Sequence, residues 1–294
     1  MAVFKGAGVA IATPFGEGGA VDYEEFDRLI EFQIENETDS IIVCGTTGES
    51  ATMTEAEHME VVRHCIKTVN GRVPVIAGAG SNCTKTAVKL SKEAQDLGAD
   101  AVLSVTPYYN KATQEGLFRH YSAISDAVDI PIILYNVPTR TGTTIAPETV
   151  ARLYKEVEHV VGIKDAGGSL PATLRALNLA GEGLEVYSGD DDVIVPIISL
   201  GGFGVISVLS NIAPRETHDM CRMALEGDYK GAAKIQIKAE PLIKALFSEV
   251  NPIPVKKALS YMGYKSTNLR LPLVEMSEEA AKILKKEMQE FGII

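Results

Sequence analysis

The chain has 294 residues, 46% of them hydrophobic and none of them tryptophan, with a formal net charge of −11. That acidity, with no basic run or basic–aromatic stripe, argues against nucleic acid and anionic membrane surfaces as partners. No apolar run reaches membrane-spanning length, no signal-peptide pattern opens the chain, and Cys44, Cys65, Cys83 and Cys221 show neither CxxC nor paired spacing. A zinc site and a disulfide framework are therefore not expected, and a cytoplasmic location is.

Residues 6–12 form a short apolar run closed by Thr13-Pro14-Phe15, which predicts a first strand and a turn. Asp22 and Glu25 have capping-box spacing, and Phe26, Leu29, Ile30 and Ile34 mark one face of the helix that follows. A second strand spans 40–44 and ends in Gly45-Thr46-Thr47-Gly48-Glu49, after which Thr54 and Glu57 cap another helix. The third strand is 74–78, with a helix over 84–97. The fourth, 100–105, runs into Thr106-Pro107-Tyr108-Tyr109-Asn110 before a helix over 115–127. The fifth, 131–134, runs into Tyr135-Asn136-Val137-Pro138-Thr139-Arg140-Thr141-Gly142, with its helix after Pro147. The sixth, 160–163, stops at Lys164 and is followed by Gly167-Gly168. The seventh, 184–187, ends in Ser188-Gly189-Asp190-Asp191, and the eighth, 203–208, leads to a helix near Pro214.

These strands are continuous apolar runs rather than alternating ones, as expected of parallel strands covered on both faces. Eight strand–helix units then read as a (β/α)8 TIM barrel over residues 1–228. A doubly wound open sheet is the rival, but the turn after the first strand lacks its glycine spacing. Past residue 228 only helical periodicity remains, over 231–247, 255–262 and 277–291, with a break at Asn251-Pro252-Ile253-Pro254. Residues 229–294 are expected to form a C-terminal helical extension packed on the barrel.

In such a barrel the reacting groups gather where strands end. Lys164 is placed there, and burial at the end of an apolar strand would disfavour its charged form and free the lone pair a Schiff-base nucleophile needs. An ordinary lysine snorkelling to solvent is the alternative. Thr46 and Thr47 could be a simple turn or a carboxylate cradle. Tyr135 could relay protons, and Arg140 could grip a carboxylate bidentately or be a solvated loop residue. Together they suit a 2-oxo acid held as an imine and a second, acidic substrate. Asp190-Asp191-Asp192 reads as helix capping rather than a metal cluster, and His58, His64, His120, His159 and His218 show no metal-ligand spacing. Lys256-Lys257 is a rival nucleophile outside the barrel, read as a solvated helix face.

Gly45-Thr46-Thr47-Gly48-Glu49, Pro107-Tyr108-Tyr109-Asn110, Tyr135 to Gly142, Gly162-Ile163-Lys164-Asp165, Ser188 to Asp191, Asn251 to Lys256 and Leu269-Arg270-Leu271-Pro272 resemble, in order and spacing, the motifs of the dihydrodipicolinate synthases. The resemblance implies condensation of pyruvate with L-aspartate 4-semialdehyde in the diaminopimelate route to lysine, with no cofactor or catalytic metal and pyruvate held as an imine on Lys164. It implies a proton relay of Tyr135, Thr46 and Tyr109, the last from a neighbouring subunit of an assembly that is usually a homotetramer, a dimer of dimers, and in some members a dimer. Thr47 would bind the pyruvate carboxylate, Arg140 the semialdehyde carboxylate, and Gly189 and Ile206 would line the pyruvate pocket. Related aldolases of 2-keto-3-deoxy sugar acids and N-acetylneuraminate lyases share the barrel, lysine and tyrosine, and some relatives act as non-catalytic regulators. Arg140 beside the Tyr108-Tyr109 pair favours an acidic second substrate over a sugar. The family's lysine-inhibition cleft is matched at Ser50, Ala51, His58, Asn82 and Tyr108. Glu55 stands where a histidine is expected and Thr86 where a glutamate is, so feedback inhibition is expected to be weak or absent.

Overall fold

Eight parallel strands close into a barrel in chain order: β1 (Gly6–Ala10), β2 (Ser40–Val43), β3 (Val75–Gly78), β4 (Ala101–Val105), β5 (Ile132–Asn136), β6 (Val160–Asp165), β7 (Glu185–Ser188) and β8 (Gly204–Ser207), with β8 pairing back onto β1. This computed structural model describes residues 2–294. The helices are α1 (Tyr23–Glu35), α2 (Glu55–Val69), α3 (Thr84–Asp96), α4 (Gln114–Ser125), α5 (Pro138–Thr141), α6 (Pro147–Glu156), α7 (Leu170–Ala180), α8 (Ile194–Ser199), α9 (Pro214–Leu225), α10 (Tyr229–Leu246), α11 (Ile253–Tyr261) and α12 (Glu278–Phe291). The (β/α)8 expectation holds. What periodicity could not show are the single-turn helix α5, inside the loop after β5, and the short α8.

The strands read as unbroken apolar runs because two cores share them. Phe4, Ala10, Ile42, Ile76, Leu103, Ile133, Tyr187 and Ile206 fill the barrel, while a larger cluster fills the space between strands and helices. Phe4 stacks on Tyr187 with ring centroids 4.3 Å apart and closes one end. At Gly162 a Cβ would stand 2.3 Å from the Glu185 carbonyl oxygen, so only glycine lets β6 and β7 approach this closely. The β5–β6 register slips between Ile132 and Ile133, where Val160 and then Gly162 are the partners. This bulge puts Val160 in the outer core and Val161 against the inner one, resetting the alternation that brings Lys164 to the mouth.

Local signals at helix starts act largely as read. Asp22 accepts from the Glu24 and Glu25 amides, and the Thr54 hydroxyl accepts from the Glu57 amide. The acidic partners do other work: Glu25 accepts from the Lys265 amide, and Glu57 pairs with Arg270. After the barrel, α10 packs on α8, α9 and α12, and α11 packs on α12. Among the described residues no helix is long and apolar enough to cross a membrane.

Candidate active site

Lys164 is the penultimate residue of β6, only 6% exposed, flanked in register by Tyr135 of β5 and Tyr187 of β7. Its Nζ lies 4.4 Å from the centroid of the Tyr135 ring. Among the described residues it makes neither an ion pair nor a hydrogen bond, so the amine is uncommitted. The end of β6 around it is rigid. Asp165 accepts from Asn136 Nδ2 at 2.9 Å, the Gly167 amide at 3.0 Å and the Thr173 hydroxyl at 2.9 Å. Gly167 is thus pinned, while Gly168 (φ 70°), with no atom within 4 Å of where a Cβ would stand, is open just ahead of the Ser169 cap of α7.

The loop after β2 forms a second wall. The Glu49 amide donates to the Thr46 carbonyl at 3.1 Å, closing a turn across Thr47 and Gly48, and the Thr13 hydroxyl holds the Gly48 carbonyl at 2.8 Å. Thr47 is 2% exposed, and its hydroxyl accepts from Asn251 Nδ2 at 3.0 Å. The third element is α5, which carries Arg140; Nη2 of this arginine donates to the Asn251 carbonyl at 3.1 Å. Asn251 therefore joins the threonine turn to the arginine. No role was read for it in the sequence, where it stood as a break before α11 and as the first residue of one matching motif.

Gly189 and Ile206 sit at the ends of β7 and β8. A Cβ on Gly189 would stand 2.6 Å from Ala166 Cβ, while the Gly189 amide donates to the Asp165 carbonyl at 2.8 Å. Ile206 is fully buried in the inner core. Beside them, burial, with the Asp192 and Asp191 charges close by, pushes the Asp190 carboxyl up to about 6. The capping role expected of this acidic run is corrected. Asp191 caps nothing on its own helix; its Oδ2 accepts from the Val208 and Leu209 amides at 3.0 and 2.8 Å, tying the end of β7 to that of β8. No group of acidic, histidine or cysteine side chains suited to a metal occurs among the described residues.

Tyr109 does not meet Lys164 within the chain. It is 93% exposed and left-handed (φ 68°), an unfavourable conformation for an aromatic residue. Tyr108 is 40% exposed beside it, and Asn110 Nδ2 donates to the Asn82 carbonyl at 3.0 Å, which steadies the loop. No intrachain hydrogen bond links Tyr135, Thr46 and Tyr109 among the described residues. Ser50, Ala51, Glu55, His58, Thr86 and Tyr108 line one cavity of about 410 Å3 together with Thr46 and Arg140, and Asn82 lies outside that lining. Glu55 is already bound to Lys89 at 2.6 Å. Burial holds His58 below the usual imidazole range, opposed by its contact with the Gly78 carbonyl at 2.7 Å.

The second correction concerns Lys256, expected on a solvated face. It is 1% exposed, ion-paired with Glu49, and donates to the Asn268 carbonyl at 2.8 Å. Burial brings it down to about 8. Its donors are taken, which removes it as a rival nucleophile.

The family model described as "Dihydrodipicolinate synthetase family" matches residues 3–291. A 4-hydroxy-tetrahydrodipicolinate synthase of Lachnoclostridium phytofermentans is 57% identical, with both chains covered in full. The chloride-inhibited dihydrodipicolinate synthase of Acinetobacter baumannii, solved with pyruvate, is 45% identical with a TM-score of 0.96, and 99% of each chain is covered. The Cyanidioschyzon merolae enzyme solved with lysine bound is 38% identical with a TM-score of 0.97 over 100% of each chain.

Proposed function

The chain belongs to the dihydrodipicolinate synthetase family, and from that premise we propose that it is a lyase condensing pyruvate with L-aspartate 4-semialdehyde to 4-hydroxy-tetrahydrodipicolinate, in the diaminopimelate route to lysine. The observation that carries this reading is the buried, uncommitted Lys164 on the same barrel mouth as the Thr46-Thr47 turn and Arg140.

The Lys164 amine attacks C2 of pyruvate, and loss of water gives a protonated imine. Loss of a C3 proton turns this into an enamine, whose C3 attacks the aldehyde carbon of the second substrate. The substrate amine then adds to C2 and expels Lys164, closing the ring. Thr47 and the amides of its turn bind the pyruvate carboxylate, Gly189 and Ile206 line the pocket, and Arg140 takes the semialdehyde carboxylate. Tyr135 and Thr46 move protons. Tyr109, pointing away from its own barrel, completes the relay of a neighbouring subunit, so the working form is a homo-oligomer, with a dimer of dimers as the expected state. The chemistry needs no cofactor, and the enzyme works in the cytoplasm.

Borohydride reduction in the presence of pyruvate tests the first step. Lys164 is expected to gain the mass of a reduced pyruvate adduct, and an unmodified Lys164 would refute the assignment. Rates with aspartate semialdehyde, N-acetylneuraminate and 2-keto-3-deoxygluconate on one preparation separate this reading from the sugar-acid aldolases.

A further inference from the structure

Glu49 closes the Thr46–Glu49 turn from a left-handed backbone (φ 54°, ψ 33°), a conformation that disfavours a side chain of this kind. Its carboxylate is fully buried and meets two groups from the C-terminal part of the chain. The Lys256 ammonium ion-pairs with Oε1, and the Arg270 amide donates to Oε2 at 3.2 Å. Lys256 also donates to the Asn268 carbonyl at 2.8 Å and lies 4.1 Å from the centroid of the Phe15 ring. Arg270 is held in turn by a two-pronged contact with Glu57, both oxygens at 2.6 Å. Five residues before Lys256, Asn251 grips the Thr47 hydroxyl. Helix α11 and the residue pair before it thus hold the turn at two points, one on the hydroxyl of Thr47 and one on the carboxylate of Glu49.

A buried ion pair is a poor stabiliser, since removing two charges from water offsets most of their attraction, and an apolar pair of similar volume is often as good. Such a pair does impose direction and distance, which an apolar contact does not. We propose that Glu49 and Lys256 are positioning residues for 2-oxo acid binding, fixing the Thr46–Thr47 turn so that its amides and hydroxyl converge on the pyruvate carboxylate. This rests on the reading of that turn as the pyruvate cradle.

The test is the double variant Glu49→Gln with Lys256→Met, which removes both charges and leaves neither unpaired. Steady-state kinetics with each substrate varied should show the pyruvate KM raised about tenfold or more, the scale at which small displacements of a binding group act. The semialdehyde KM should stay within about twofold, and borohydride should still trap pyruvate on Lys164 at saturating concentration. A pyruvate KM within about twofold of the parent overturns the proposal. So does an equal loss at both substrates with a lowered melting temperature, which is what a purely structural pair would give. Should the double variant not fold, Glu49→Asp keeps the pair, retracts the carboxylate by one methylene, and carries the same expected and overturning results. Absence of a pyruvate adduct in the parent enzyme would instead refute the functional reading itself.

Discussion

The mouth of the barrel and the helical extension each bury one lysine, and the two are opposites. Lys164 lies near the end of β6 against the Tyr135 ring, its side chain with no ion pair or hydrogen bond among the described residues. Lys256, on α11, has a carboxylate, a carbonyl and an aromatic face around its ammonium. Burial alone does not tell a nucleophile from a strut, since both side chains are buried. The discriminating property is commitment of the donors. An amine already bound on all sides cannot attack a carbonyl, whereas one left free in a dry site is available to do so.

The contrast breaks most directly at the nucleophile. Lys164→Ala is expected to lose activity by about 1,000-fold or more in a coupled assay and to give no borohydride-trapped adduct; retained turnover would end the argument. Next comes stability. Lys256→Met alone strands the Glu49 carboxylate and should cost about 3–5 kcal/mol in urea denaturation, whereas Lys164→Met should leave the midpoint unchanged or higher. Similar losses in the two variants would erase the distinction. Arg140→Ala should raise the semialdehyde KM by about 10- to 100-fold, corresponding to loss of a charge-assisted contact, with the pyruvate KM nearly unchanged; a matching rise for pyruvate would make the arginine structural.

Acid sharpens the comparison further. The Arg270 guanidinium holds Glu57 below the usual carboxylate range. The unfolded chain therefore takes up this proton first as pH falls, and the stability the pair contributes is present above about 4.5 and lost as pH drops through the folded value. Glu57→Gln should flatten acid unfolding below about pH 4.5 by under about 1 kcal/mol, the pair being partly exposed. Lys164→Met should leave that slope as it is. The smallest effect concerns L-lysine, whose ammonium would meet Thr86 and a Glu55 already taken by Lys89; half-inhibition is expected only above about 1 mM, and sub-millimolar inhibition would refute this.

How much of this was legible follows from the range of each interaction. The barrel showed in the sequence because burial on both faces forces continuous apolar runs, strand by strand. Lys164 showed because a strand end is local. The Lys256–Glu49 pair did not, since its members lie in different parts of the chain and a lysine opening an amphipathic helix has the same local pattern whether solvated or buried. Asn251 was hidden for the same reason, lying next to a proline break that explained its type by itself. Asp191 was misread because an acidic residue at a helix start suits a cap, and only the Val208 and Leu209 amides, just past the neighbouring strand β8, show where its Oδ2 goes. Tyr109 stands apart: it is 93% exposed in a left-handed turn, and the relay role proposed for it needs a second subunit.

The turn proposed to hold the 2-oxo acid is fastened by residues near the end of the chain, Asn251 and Lys256, although the turn itself is made early. During synthesis all eight strands, Lys164 included, are translated before those fasteners exist. An interrupted translation product ending short of residue 251 would carry a reactive amine but no shaped cradle to hold a keto acid beside it. On the proposed reading, completion of the polypeptide is thereby a condition of pyruvate binding.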